Sequence, residues 1–248
     1  METKLISVSD IIKNGWNLYL EKFQQLSVPI FVTFGTSAAV VLIEYFLPES
    51  IFLFLFATAI MIFINIWMVI TQILLVNKIY LKQPAVLETA ASLAFSKIPS
   101  YLLIVIINFI IILGGLVLLI IPGLIFTVWY QFAVYINILE PSDNKGMAAF
   151  KASKRLVRGR WWPTFSRLIL PPLAICLLLA PIAVALIYML TLGGYDATDY
   201  NSLLIFRSVS SFISLLFAPL FIAFIIILYY NLKETKKQDT NLTSSSNQ

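Results

Sequence analysis

YLLIVIINFIIILGGLVLLIIPGLIFTVWYQFAVYINIL, residues 101–139, is an unbroken apolar run without a single charge. A helix rises about 1.5 Å per residue and a bilayer's hydrocarbon core is about 30 Å thick, so about 20 residues make one crossing. The run is long enough for two, and whether it is one helix or two decides the fold of the whole chain. Pro122 and Gly123 stand in its middle. A residue of fixed φ followed by a permissive one makes a tight turn, which divides the run into spans 101–121 and 124–139. Pro122 also suits the first turn of the second span, where no backbone N–H is required.

The composition around this run is of the same kind. The chain is 60% hydrophobic and 12% charged, with a mean hydropathy of +0.93, well above the roughly 45–50% apolar content of a soluble domain. Four further segments are long and apolar enough to cross: 27–47, 51–76, 162–192 and 203–232. The last two are long for one crossing and predict tilt or bending. The expected fold is therefore all-α, a single six-span membrane domain over residues 1–232, followed by a polar, disordered tail over 233–248.

Orientation follows from the connections, because Lys and Arg accumulate on the cytoplasmic side of short loops. Of the 17 basic residues, all but Arg167 and Arg207 fall before the first span, between spans two and three, between spans four and five, or after the sixth. The other connections carry Glu49, Asp196 and Asp199 instead. Six spans with both termini cytoplasmic give this alternation; fusing the third and fourth destroys it. The implied location is the cytoplasmic (inner) membrane.

The densest charge lies in KASKRLVRGRWWPTF, residues 151–165. On a helical wheel Ala149, Phe150, Ser153, Leu156 and Val157 share one face, while Lys151, Lys154, Arg155 and Arg158 share the other. Helix 147–158 therefore reads as a basic amphipathic helix on the inner membrane surface, with Gly159 as its C-terminal cap. Arg160, Trp161 and Trp162 complete an interfacial group before the fifth span. Each cation near an anionic leaflet contributes about 1 kcal/mol, so the group is a candidate lipid-head-group site or, more simply, a topology anchor. Tryptophans bordering a span argue against nucleic acid. Two weaker surface helices are expected, one from Ser9 as N-cap to Leu26 with Ile12, Trp16, Tyr19, Leu20 and Phe23 on its apolar face, and one between Pro84 and Lys97. Surface helix, basic junction and helix pair thus occur three times, an architectural repeat without sequence identity.

The segments IPGLIFTVWYQFAVYINILE (121–140) and AAFKASKRLVRGRWW (148–162) resemble the membrane domain attached to some prokaryotic glycerophosphoryl diester phosphodiesterases. They are similar too to uncharacterised bacterial six-span inner-membrane proteins of the YciC type. The matching residues are Ile121, the Pro122-Gly123 turn, Trp129, Tyr130, Glu140, Ala149, Ser153, Leu156, Gly159 and Trp162, and SVSDIIKNGWNLYLEKF (7–23) is similar to the family's start. The resemblance implies a fold and no activity; the phosphodiesterase chemistry belongs to a separate soluble domain.

Nothing in the residues points to catalysis. The chain has no histidine, which removes the commonest general base and metal ligand. Cys176 lies inside the fifth span and reads as a small buried residue. Glu44 stands near the outer end of the first span, where the interface solvates it, and Arg167 and Arg207 lie about one turn inside the span ends, within snorkelling reach. The interior amides Asn65, Gln72, Asn108, Gln131 and Asn137 are expected to bond across helices. Small-residue stripes at Gly35 and Ala39, and at Ser210, Ser214 and Ala218, permit close helix contact within or between chains. Pro171, Pro172 and Pro181 are expected to bend or break the fifth span. The reading that results is a non-catalytic membrane protein, without metal or cofactor, that engages anionic lipid head groups or serves as a scaffold in membrane or envelope homeostasis. A protein partner and a second copy are further candidate contacts. The alternative is a small-solute or lipid transporter using Asn108, Gln131 and Asn137.

Overall fold

The computed structural model describes residues 5–47, 49–141, 145–192 and 200–245. Pro48, Asp196 and Asp199 lie outside them, as does the Arg207 side chain. Every regular element among the described residues is a helix: α1 (Val8–Glu21), α2 (Phe23–Phe46), α3 (Ile51–Tyr80), α4 (Leu87–Leu118), α5 (Ile120–Tyr130), α6 (Ala133–Leu139), α7 (Met147–Val157), α8 (Trp161–Leu192) and α9 (Tyr200–Ser245). Six helical segments are long and apolar enough to cross a membrane, with α5 and α6 together forming the fourth. The break between those two falls at Gln131 and Phe132, where ψ relaxes to −6° at Phe132.

The apolar run divides, but three residues before the expected place. The chain turns at Leu119, whose backbone is extended (φ −171°, ψ 152°). Pro122 and Gly123 lie within the first turn of α5, where a missing N–H costs nothing. Gly123 serves a different purpose from turning: a Cβ there would stand 2.5 Å from Leu116 Cδ2 and 3.1 Å from the Leu116 backbone nitrogen. It lets α4 and α5 pack almost backbone to backbone.

The well-buried core sits in the halves of α3 and α9 that meet the basic segments. Ile70, Leu75 and Val76 of α3 and Leu220, Ile226 and Leu228 of α9 are fully enclosed. The opposite halves of the helices expose large apolar side chains such as Phe52, Val117 and Met189, as expected where lipid is the solvent.

Several expectations need correction. The helix predicted between Pro84 and Lys97 is not separate; it is the first half of α4, continuous through Pro99. Trp67 Nε1 donates to the Ala91 carbonyl at 2.8 Å, and Phe95 packs on Phe63 and Trp67. Those contacts hold this half against α3 and outweigh the one helical bond that a proline removes. Pro171, Pro172 and Pro181 do not break α8, which is one helix through all three. The α1 cap is Ser7, which accepts from the Asp10 amide, and not Ser9. Its buried stripe is Ile11, Gly15 and Tyr19, whereas Leu20 is exposed. Gly15 seats α1 directly on Phe224, and a glycine carries no apolar signal to read. Tyr19 donates to the Leu216 carbonyl at 2.9 Å, and burial pushes its phenol up to about 12, which keeps it a donor at all ordinary pH. The segment read as a disordered tail from residue 233 stays helical to Ser245.

Candidate functional site at the basic end

The helix ends that follow or precede the basic segments are tied together by side chains. Tyr230 donates to Asn77 Oδ1 at 2.9 Å and stacks on Tyr80, which joins α9 to the end of α3. Tyr229 and Lys233 both bond Glu140 at the end of α6. The Ile6 amide donates to Asn231 Oδ1 at 3.0 Å, bringing the N-terminal segment to the same level. One end of the bundle thus gathers the basic connections, as the alternation of charge requires.

Helix α7 sits on this end. Ala149, Phe150, Ser153 and Val157 are buried, with the Ser153 hydroxyl donating to the Trp129 carbonyl at 2.6 Å. Its apolar face is therefore packed on protein, on α5, α6 and α9, and does not dip into a bilayer as a free amphipathic helix would. Gly159 closes the helix at φ 87°, a left-handed conformation that favours glycine. Lys236 of α9 donates to the Arg155 and Arg158 carbonyls at 2.7 and 3.0 Å, a cation on the helix C-terminus.

The seven residues read as one interfacial group divide into two sets. Arg160 is buried at 6% exposure and binds Asp239 and Thr235 of α9. Lys154 lies over the Trp129 ring at 4.2 Å, and Trp161 stacks on Phe165 while its Nε1 points to the Ile125 carbonyl. Those three hold the molecule together. Lys151, Arg155, Arg158 and Trp162 face outward, Trp162 at 72% exposure. Among the described residues no carboxylate pairs with those three cations.

The residues expected along a transport path are not joined. Asn137 is buried and braces the loop before α7, accepting from the Gly146 amide at 3.1 Å and contacting Ser100. Asn108 Oδ1 is buried without a partner, as is Gln72 Oε1, and Asn65 bonds within its own helix to the Met61 carbonyl. Gln131 lines a cavity of about 300 Å³ between α5, α8 and α9, into which Asn108 does not reach. Cys176, expected to be buried, is exposed, and the Gly35 position faces open space rather than a helix. Among the described residues no cluster of His, Cys, Asp or Glu could hold a metal.

The residue that sequence reasoning placed least usefully is Arg167. Its Nε donates to the Ile6 carbonyl at 2.6 Å and Nη1 to the Pro163 carbonyl at 2.9 Å, while Nη2 stands 3.4 Å from the Leu5 carbonyl. It therefore fastens the N-terminal segment to α8, and it lines the same cavity as Gln131.

Fold and site together define an all-α, multi-pass integral membrane protein with a braced basic end. Comparison of the chain with protein-family models, curated proteins and solved structures yields no match.

Proposed function

We propose that the protein is a non-catalytic, lipid-engaging component of a cytoplasmic membrane, with both termini cytoplasmic, acting in membrane organisation or envelope homeostasis. The observation that carries this reading is the outward face of α7: Lys151, Arg155 and Arg158 point away from the bundle beside exposed Trp162, while the opposite face locks the helix in place. Fixed cations next to an interfacial tryptophan suit anionic head groups, at about 1 kcal/mol each. The resemblance of 121–140 and 148–162 to phosphodiesterase membrane domains and YciC-type proteins agrees with it, since it implies a fold without an active site.

The test is extraction of the protein with its surrounding bilayer, followed by mass spectrometry of the lipids, for the wild type and for a Lys151→Gln, Arg155→Gln, Arg158→Gln variant. Enrichment of anionic lipid that the variant reduces is the expected result. Bulk-like lipid in both samples sinks the reading. The cavity at Gln131 also supports a transporter reading, which requires flux in reconstituted vesicles that a Gln131→Leu variant abolishes.

A further inference from the structure

The cavity between α5, α8 and α9 is polar at one end and apolar along the rest. Arg167 and Gln131 stand at its basic end, because Gln131 closes α5 on that side and Arg167 lies near the start of α8. From there Leu124, Pro172, Phe221 and Ile225 line it toward the middle of the bundle. Gln131 to Leu124 is about 10 Å along α5, and about 300 Å³ lies at the small end of the volumes that hold organic ligands. Exposed Leu124 and Ile169 form its rim, so the cavity opens sideways, where acyl chains would be.

Its polar end is under-satisfied. A guanidinium has five N–H donors, and Arg167 uses two in short bonds to carbonyls and one in a long bond. No carboxylate among the described residues neutralises it, and the Gln131 amide has no hydrogen-bond partner among them. A half-buried cation next to low-dielectric walls favours an anion. An apolar channel leading away from it favours an anion with a hydrocarbon tail.

We propose that this cavity binds one anionic phospholipid of the leaflet at the basic end, its phosphate on Arg167 and Gln131 and part of one acyl chain between α5, α8 and α9. The proposal rests on the lipid-engaging reading but uses residues distinct from the α7 face, so the two can fail separately. The protein is reconstituted in nanodiscs of mixed phosphatidylcholine and phosphatidylglycerol, re-extracted, and its retained lipid counted by native mass spectrometry. One retained phosphatidylglycerol is expected in the wild type. Retention falls by about tenfold or more in Arg167→Gln and in Ile169→Trp, which blocks the rim and leaves the Arg167 bonds to the N-terminal segment intact. The α7 triple variant retains the lipid, and excess inorganic phosphate does not displace it. Equal retention of both lipids, indifference to Ile169→Trp, displacement by phosphate, or loss only in the α7 variant overturns the assignment.

Discussion

Arg160 and Lys233 both hold an acid, and the two pairs differ in how much water surrounds them. Arg160 is 6% exposed, so removing the carboxylate of Asp239 leaves a guanidinium in the interior, at a cost of about 1–3 kcal/mol. Lys233 is about half exposed, and Glu140 keeps its bond from Tyr229 without it, so Lys233→Gln costs under about 1 kcal/mol. Thermal unfolding in detergent should rank Asp239→Asn as the more damaging of the two, and the reverse order would mean that the buried pair is held by something other than charge. The burial of Arg160 was not legible in the sequence. It depends on a partner 79 residues away, in a stretch whose polar composition suggests a disordered tail. Glycines tell the same story: Gly123→Val must push into the Leu116 backbone, and overpacking costs about 1–3 kcal/mol, whereas Gly35→Ala meets open space. The first should lower the melting temperature and the second should not.

At the scale of elements, the short helix α7 illustrates what periodicity can and cannot give. Its two faces, its ends and Gly159 as its stop were all readable, because each is a local pattern. What its apolar face covers was not, since an amphipathic helix presents the same wheel to a bilayer and to a neighbouring helix. Eleven residues are too few to hold a helix on propensity alone, so α7 depends on the bundle and on the Lys236 ammonium at its C-terminal carbonyls. Lys236→Gln should raise hydrogen exchange in 150–158 with little change elsewhere. If exchange there stays the same, the Ser153 bond and the packed face suffice. The half of α4 before Pro99 is the converse case: its sequence reads as a separate surface helix ending near Lys97, and the Trp67 and Phe95 contacts that join it to the α3 span lie in the tertiary structure.

For the whole molecule the decisive quantity is the number of crossings, and it turns on one residue, Leu119. Between Glu49 and Lys145 the chain runs through α3, α4 and the α5–α6 pair. Three crossings put those two residues on opposite sides of a membrane; a continuous helix across 101–139 would make two and put them on the same side. The span count was legible because charge alternates loop by loop, and a slip of a few residues at any boundary leaves that alternation intact. The exact turn was not, because proline and glycine serve helix starts and close packing as well as turns. Single cysteines at Glu49, Lys145 and Ser245, each in a Cys176→Ser background since Cys176 is exposed, test the arrangement with a membrane-impermeant maleimide on intact cells. Glu49→Cys should label directly, whereas Lys145→Cys and Ser245→Cys should label only after the membrane is opened. Labelling of Glu49→Cys and Lys145→Cys from the same side would show that α4 and α5 do not form a hairpin across the bilayer. The groove that places Arg167 beside Gln131 would then lose its geometry as well, because α5 could no longer return toward the basic end to meet α8.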